Sequence, residues 1–370
     1  MAVFLLGTIK EKREGYMRKS GKLYDVLLLL LVGAVVLFFG VTIFILPQRS
    51  LSQKENRSLA TMPKLSLDSI TSGEYFKKLG DFYSDQFPMR DHFTATYSLF
   101  ELSLGKQEVK GVMVNNNALI ARSDEDIEAI KANIDAISSV ENSILYVPPS
   151  SKDVFESPLK NSKIISILPT DTANDFTSLC ENNQEYIYYK TDHHWTTRGA
   201  YIAYTQICSR LSITPYHEEY FARERVNTDF RGTSFSRSCL PEFVTEADDI
   251  VLYRYEGDKK ITLLNHENNV SFKGFYQMQH LEQTDKYRVF LGGNYAHVSI
   301  LNDTPKPKLL LVKDSFANSL VPFLALHFDI EMIDPRYCSK IFLQEQTERT
   351  DVDNIMFLLS ADTLSNDIFG

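Results

Sequence analysis

The chain has 370 residues, 44% of them apolar and 24% charged, which suits one large or two modest globular domains with a real core. The formal net charge is -9, with 39 Lys and Arg against 48 Asp and Glu. That balance excludes nucleic acid as the main ligand, because phosphate binding needs concentrated cations. The four cysteines, Cys180, Cys208, Cys239 and Cys338, match no zinc-ligand spacing. They are compatible with one or two disulfides in an oxidising compartment, or with free thiols.

Val26 to Leu46 is an uncharged apolar run, long enough to cross a hydrocarbon core of ~30 Å as a helix. Lys10, Lys12, Arg13, Arg18, Lys19 and Lys22 precede it, against Glu11, Glu14 and Asp25. The excess of positive charge predicts a cytoplasmic basic tail (1–25), a single transmembrane helix (26–46) and a cell-membrane protein whose remainder lies outside. The run has no polar face, which argues against a soluble core helix. Pro47-Gln48-Arg49 follows it rather than a small-residue cleavage site, which argues against a removed signal. Residues 47–70 read as a polar juxtamembrane linker, a solvated stalk around Ser52–Arg57. Residues 71–370 read as one extracytoplasmic domain.

Within that domain, helical spacing runs from Ser72 to Leu104 and breaks at Pro88. Gly111 to Ile120 predicts a hairpin around Asn115–Asn117. A helix over Asp124–Ser138 follows, with Ile127, Ile130, Ile134 and Ile137 on one face, then a strand at Ser143–Val147. A second apolar run, Ile164–Leu168, ends at Pro169. Tyr186–Tyr189 reads as a further strand and Thr197–Leu211 as an amphipathic helix. Residues from about 215 to 300 read as a β-rich insertion, with short strands at Ile250–Tyr255, Ile261–Leu264 and Tyr287–Leu291. The alternation resumes with a strand at Lys308–Val312, a helix at Ala317–Leu326, and strands at Ile330–Ile333 and Ile355–Leu359. Helices interleaved with short apolar strands predict an α/β fold, a three-layer α/β/α core on a mainly parallel sheet.

Ligands of such sheets sit beyond the C-terminal ends of strands. Asp192-His193-His194-Trp195 and Lys313-Asp314-Ser315 both fall just past predicted strands. An acid, a base and a hydroxyl are the parts of serine-type acyl transfer. Ser315 is the candidate nucleophile, His194 its base and Asp192 the carboxylate that orients His194. In an extended segment, a D-x-H spacing puts both side chains on one face and turns His193 the other way; in a helical turn His193 and His194 can exchange roles. A plain helix cap at Asp314 or Ser315 is the structural alternative. Gly293 and Asn294 are candidate oxyanion donors, in a turn where backbone can approach a ligand. Trp195 is a packing wedge or a sugar platform. Arg336 is an anion binder or the partner of Asp334. Adjacent Asp192, His193 and His194 rarely fit one tetrahedral site, and no H-x-x-x-H or C-x-x-C accompanies them, so no metal or cofactor is expected.

These residues resemble the DHHW family of bacterial membrane-anchored proteins, which are similar to the alginate O-acetyltransferase proteins of the SGNH-hydrolase-like superfamily. Besides Asp192–Trp195, the resemblance rests on Glu55-Asn56-Arg57, Phe87-Pro88-Met89-Arg90, Phe230-Arg231-Gly232-Thr233, Gly292-Gly293-Asn294 and Lys313-Asp314-Ser315-Phe316-Ala317-Asn318-Ser319. It implies an SGNH-like core with a triad at Asp192, His194 and Ser315. The order acid, base, nucleophile is that of the alginate acetyltransferase group and the reverse of ordinary SGNH hydrolases. Lys313-Asp314-Ser315 stands where those have Gly-Asp-Ser. The implied activity is O-acetyl transfer to a cell-surface or secreted polysaccharide, beside a multipass membrane O-acyltransferase. A carbohydrate acetyl esterase and a non-catalytic glycan-binding or assembly protein are the alternatives.

Overall fold

One long helix, α1 (Ala2–Ile45), contains the apolar run, and its Leu23–Ile45 segment is long and apolar enough to cross a bilayer. The computed structural model describes residues 2–115, 118–123, 125–155, 164, 167–168 and 185–369. The chain divides into two compact units, Met1–Gln53 with Arg57–Thr94, and Lys54–Asn56 with Ala95–Gly370.

In the first unit the linker is folded, not a solvated stalk. Strands β1 (Leu51–Ser52) and β2 (Arg57–Ser58) pair antiparallel. The helices α2 (Leu67–Thr71) and α3 (Glu74–Asp85) follow, and Pro88 separates α3 from α4 (Arg90–Ser103). Asp85, at the end of α3, receives both arms of Arg57 at 2.9 and 2.6 Å and the Ala60 N–H at 2.8 Å. The Arg57 hydrogen bond holds the Asp85 carboxyl below its ordinary range. Gln86 closes the same corner, accepting from the Arg49 N–H and donating to the carbonyls of Arg49 and Ala60. Phe39 of α1 stacks on Phe87, with centroids 5.0 Å apart.

The second unit is built on a mixed seven-stranded sheet of order β10-β9-β11-β13-β12-β14-β6. Its strands are β6 (Ser143–Tyr146), β9 (Thr262–Asn265), β10 (Val270–Lys273), β11 (His297–Leu301), β12 (Lys308–Lys313), β13 (Asp329–Ile333) and β14 (Asn354–Leu358). Leu309 to Val312 of β12 are all fully buried, the mark of an inner strand covered on both faces. Leu309 and Leu311 enter one core with Ala200, Tyr204 and Ile207 of the helix α7 (Thr197–Arg210). Leu310 and Val312 enter the other, with Ile130, Ile134 and Ile137 of α5 (Ile127–Ser138). Each such leucine contributes about 1.5–3 kcal/mol by burial. Asp126 starts α5 by accepting from the Glu128 and Ala129 N–H groups, so the predicted isoleucine face holds and only its boundary moves. Between these two helices in sequence lies a short one, α6 (Ser151–Phe155).

The sheet departs from the sequence reading in three ways. Parallel pairing joins only β13, β12, β14 and β6; the β11–β13, β11–β9 and β9–β10 pairs are antiparallel. The supposed insertion therefore supplies part of the main sheet, because β9 and its neighbour β10 extend it beyond β11. Tyr186–Tyr189 is not a strand of any sheet and makes one isolated bridge, Tyr188 to Trp195. Tyr287–Leu291 begins in a 3-10 helix, Lys286–Val289. The predicted run Ile164–Leu168 and the turn at Asn116–Asn117 lie partly outside the described residues.

Two smaller elements flank the site. Strands β3 (Glu108–Val109), β4 (Val112–Asn115) and β5 (Ala118–Ala121) form an antiparallel sheet, as the hairpin reading expects. The helix α8 (Thr233–Ser238) packs Phe235 against it. Strands β7 (Ala222–Phe230) and β8 (Asp248–Arg254) make a bulged ribbon. The helices α9 (Val321–Leu324), α10 (Lys340–Thr347) and α11 (Ala361–Leu364) complete the unit. Cys208, Cys239 and Cys338 are free thiols, and Cys180 lies outside the described residues.

Candidate active site

Thr191 to His194 form a bend rather than an extended segment, so the loop needs other groups to hold it. Leu119 of β5 donates its N–H to the Lys190 carbonyl at 2.7 Å, and Phe235 of α8 donates to the Thr191 carbonyl at 2.9 Å. Buried Asp248 does most of the rest. It accepts from the Lys190 and Thr191 N–H groups at 2.9 and 2.8 Å and from the Tyr186 and Thr191 hydroxyls. Burial raises the Asp248 carboxyl above its ordinary range, against these hydrogen bonds.

The bend folds Asp192 back onto His194. Asp192 Oδ1 accepts the His194 N–H at 3.0 Å and lies 2.5 Å from His194 Nδ1. His194 Nε2 lies 2.8 Å from Ser315 Oγ. The three residues thus form one hydrogen-bonded line, with the imidazole in the middle. Asp192 Oδ2 accepts from the Thr233 N–H at 2.7 Å and the Thr233 hydroxyl at 3.0 Å. Burial works to raise the Asp192 carboxyl, but the two imidazoles, the His194 hydrogen bond and the Thr233 N–H outweigh it and hold it well below the carboxylate range. A Cβ on Gly232 would lie 2.1 Å from Asp192 Oδ2, so only glycine allows this approach. Tyr287 stacks on the free face of His194, centroids 4.1 Å apart and planes 6° apart. Phe316 meets the same ring edge-on at 5.0 Å.

Ser315 follows β12 and opens a short 3-10 helix, Ser315–Ser319. Asp314 caps it, taking the Phe316 N–H at 3.0 Å, so that donor is not open to a substrate oxyanion. Asp314 also binds the Ser360 N–H and the Thr363 hydroxyl beside α11. The helix read over Ala317–Leu326 is in fact this turn followed by α9, because Pro322 falls at the start of α9.

The other sequence candidates fall elsewhere. Trp195 is fully buried and donates to the Phe316 carbonyl and Ser319 Oγ, both at 3.0 Å, so it is a packing wedge and no sugar can stack on it. Arg336 grips Asp334 at 2.9 and 2.6 Å, which leaves its charge compensated. Asn294 points its Oδ1 at Lys313 Nζ (2.9 Å) and Asn318 Nδ2 (3.0 Å). Gly293 keeps a positive φ and faces Arg288. Burial lowers the Lys313 ammonium to about 8, and Asp334 opposes that shift.

Sequence reasoning missed Asp248, Tyr287 and the work of Gly232 and Thr233. Only the last two carried a signal, in Phe230-Arg231-Gly232-Thr233. Asp248 and Tyr287 act across the fold and have no local pattern.

A cavity of about 250 Å³ opens beside the triad, lined by His193, Thr233 and Phe316 and by Ser150, Asp153 and Arg237. Among the described residues, two groups lie within metal-ligand reach, Asp192–His193–His194 and His266–His297–Glu331. In the first, the carboxylate and both His194 nitrogens are engaged in the hydrogen bonds above.

Residues 175–333 match the family model described as DHHW protein. No curated protein matches the chain. Among solved structures, a DHHW family protein from Eubacterium siraeum DSM 15702 is similar at 20% identity and TM-score 0.55, covering 70% of this chain and 94% of that one. PatB1 of Bacillus cereus, solved with a sulfonyl adduct, is similar at 19% identity and TM-score 0.54, covering 70% and 97%. These likenesses establish a shared mixed α/β fold. The stretch that matches the DHHW model, residues 175–333, contains Asp192, His194 and Ser315.

Proposed function

We propose that this protein is a membrane-anchored, serine-dependent O-acetyltransferase acting on a cell-surface or secreted polysaccharide. The observation that carries the reading is the Asp192–His194–Ser315 line, with its 2.5 and 2.8 Å contacts. His194 Nε2 takes the Ser315 proton as Oγ attacks an acetyl ester. The leaving alcohol takes that proton, and acetyl-Ser315 remains. Asp192 holds the imidazole in the tautomer that keeps Nε2 free to accept, and offsets the charge as the imidazolium forms. In the second half, His194 deprotonates a sugar hydroxyl, which attacks the acetyl carbon and releases Ser315. The Tyr287 face and the Gly232–Thr233 contact support the reading by fixing the ring and the carboxylate.

The apolar segment Leu23–Ile45 supports a single-pass anchor, and the basic residues before it support a cytoplasmic N-terminus with the catalytic unit outside. On the family resemblance, acetyl groups arrive through a multipass membrane O-acyltransferase.

The test uses the full chain in detergent micelles with p-nitrophenyl acetate. Intact mass is expected to show an added acetyl group of about 42 Da on the unaltered chain. Ser315→Ala is expected to show none. A sulfonyl fluoride is expected to label the same serine. An adduct that persists in Ser315→Ala would overturn the assignment. Release of free acetate with no transfer to any polyol would make the enzyme an esterase.

A further inference from the structure

The reaction above leaves one polar group of the site unused. His193 lines the cavity, and its side chain is 34% exposed where that of His194 is 4%. Its Nδ1 lies 2.6 Å from Thr233 Oγ1, which itself lies 3.0 Å from Asp192 Oδ2. These distances fix where the protons are. An ionised carboxylate only accepts, so the single Thr233 hydroxyl proton goes to Asp192. Thr233 Oγ1 must then accept from His193, whose Nδ1 carries the hydrogen. Nε2 is left as a lone pair, with no hydrogen-bond partner among the described residues. Burial and the neighbouring His194 lower the His193 imidazole to about 4, which keeps that lone pair available near neutrality.

The two imidazoles lie one over the other, centroids 3.8 Å apart with planes tilted by 38°. Once Ser315 is acylated, its proton is gone and His194 Nε2 is free to accept. The site then presents two neighbouring acceptor nitrogens. One hydroxyl has one proton and satisfies only one of them. Two hydroxyls on adjacent carbons, with oxygens about 3 Å apart, satisfy both at hydrogen-bond distance.

We propose that the cavity beside His193 is the acceptor subsite and that it selects a vicinal diol. The reacting hydroxyl donates to His194 Nε2, and its neighbour donates to His193 Nε2. This rests on the acyl-transfer reading and names the acceptor class for it. The reacting oxygen bonds to the acetyl carbon as its proton passes to His194. The acetyl–Ser315 bond then breaks, and Oγ recovers the proton from His194. His193 exchanges no proton; it positions the diol. At about 250 Å³ the cavity is smaller than the usual range for drug-sized ligands of about 300–1,000 Å³, so it suits one sugar ring rather than a length of chain. Ser150, Asp153 and Arg237 add polar side chains to the lining.

The full chain in detergent micelles, with p-nitrophenyl acetate as donor, would be offered ethylene glycol and 2-methoxyethanol together. The two differ in the neighbouring O–H. Both draw on one acyl-enzyme, so their product ratio is independent of how fast that intermediate forms. The expected ratio favours the glycol about 3- to 10-fold per hydroxyl, the worth of one hydrogen bond. His193→Ala is expected to bring the ratio close to one. His193→Gln, whose amide oxygen reaches the Nε2 position, is expected to restore part of it. A ratio near one in the unaltered chain, or an unchanged ratio in His193→Ala, would overturn the diol subsite. An acyl-enzyme that acetylates neither alcohol would overturn the subsite while leaving the nucleophile in place. Absence of any acyl-enzyme would instead remove the acyl-transfer reading, and this one with it.

Discussion

Two regions of the second unit hold nearly the same chemical parts. One joins Asp192, His193, His194 and Ser315; the other joins Glu331, His266, His297 and Ser299 on the sheet face of β11 and β13. In both, two imidazoles lie close together, with centroids 3.8 Å apart in the first and 4.0 Å in the second. The order of the hydrogen bonds separates them. At the triad the imidazole stands between acid and hydroxyl, so the serine proton has a base to go to. In the second cluster the Ser299 hydroxyl donates directly to Glu331 Oε2 at 2.7 Å, and His297 Nε2 meets the same oxygen at 2.9 Å. His266 Nε2, 2.6 Å from Ser299 Oγ, must therefore be a donor and cannot act as its base. Ser299 and Glu331 are register partners on adjacent strands, which brings acid and hydroxyl together with no base between them. Burial differs as well. Asp192 and His194 are 1% and 3% exposed, whereas His266 is open to solvent. Connectivity and burial, more than composition, set the two clusters apart and support the first as the proposed nucleophilic site.

The strongest way to break the comparison is to delete each serine. Ser315→Ala should lower turnover of p-nitrophenyl acetate by about 10³-fold or more, whereas Ser299→Ala should stay within about twofold. Comparable losses would make the two clusters equivalent and sink the assignment. Next in size is Gly232→Ala. The added methyl must displace the Asp192 carboxylate, and a loss of about 10- to 100-fold in kcat is expected with the fold retained by circular dichroism. Retained activity would show that the carboxylate position is uncritical.

Tyr287 sharpens the comparison on a smaller scale. Tyr287→Leu removes the ring stacked on His194 and should cost about 3- to 10-fold in kcat. Tyr287→Phe keeps the face and loses only the 3.3 Å contacts to the Ser315 carbonyl and Ser319 Oγ, so it should cost less than about threefold. Equal losses would assign the effect to the hydroxyl.

The smallest expected effect is on stability. His193 is lowered to about 4 from an ordinary 6.5, with burial as the main cause. Between those values the unfolded chain binds a proton that the fold refuses, so stability falls as pH drops through that window. Asp192, whose carboxyl is depressed, adds a further loss below its ordinary value of 3.8. His266 is also lowered, by partial desolvation and the neighbouring His297, and shares the first window. The Tm drop from pH 7 to pH 5 should be smaller in His193→Gln than in the unaltered chain, by a few degrees at most. An identical drop would show that His193 does not resist protonation in the fold.

Much of the fold was legible because burial leaves local periodicity. The Ile127, Ile130, Ile134 and Ile137 spacing gave α5, and the unbroken Leu309–Val312 run gave β12. The Tyr186–Tyr189 run misled, since aromatic residues packed in a core look like strand residues. Asp192 and His194 were readable as partners because they lie two residues apart, although a bend joins them where an extended face was expected. The role of Asp248 was not readable, since its acceptor capacity is spent on Tyr186, Lys190 and Thr191, which lie 57 to 62 residues away in sequence.

By itself, then, the sequence determined the apolar helix, the strongly periodic elements, and the residue types of the triad. Those follow from side-chain solubility and from chemistry carried within a few residues. Only the tertiary structure decided that the sheet is half antiparallel, that an imidazole stands between acid and hydroxyl at Ser315 but not at Ser299, and that Thr233 Oγ1 lies against His193 Nδ1. Each of these depends on which donor meets which acceptor across the fold, and long-range pairing leaves no trace in local spacing.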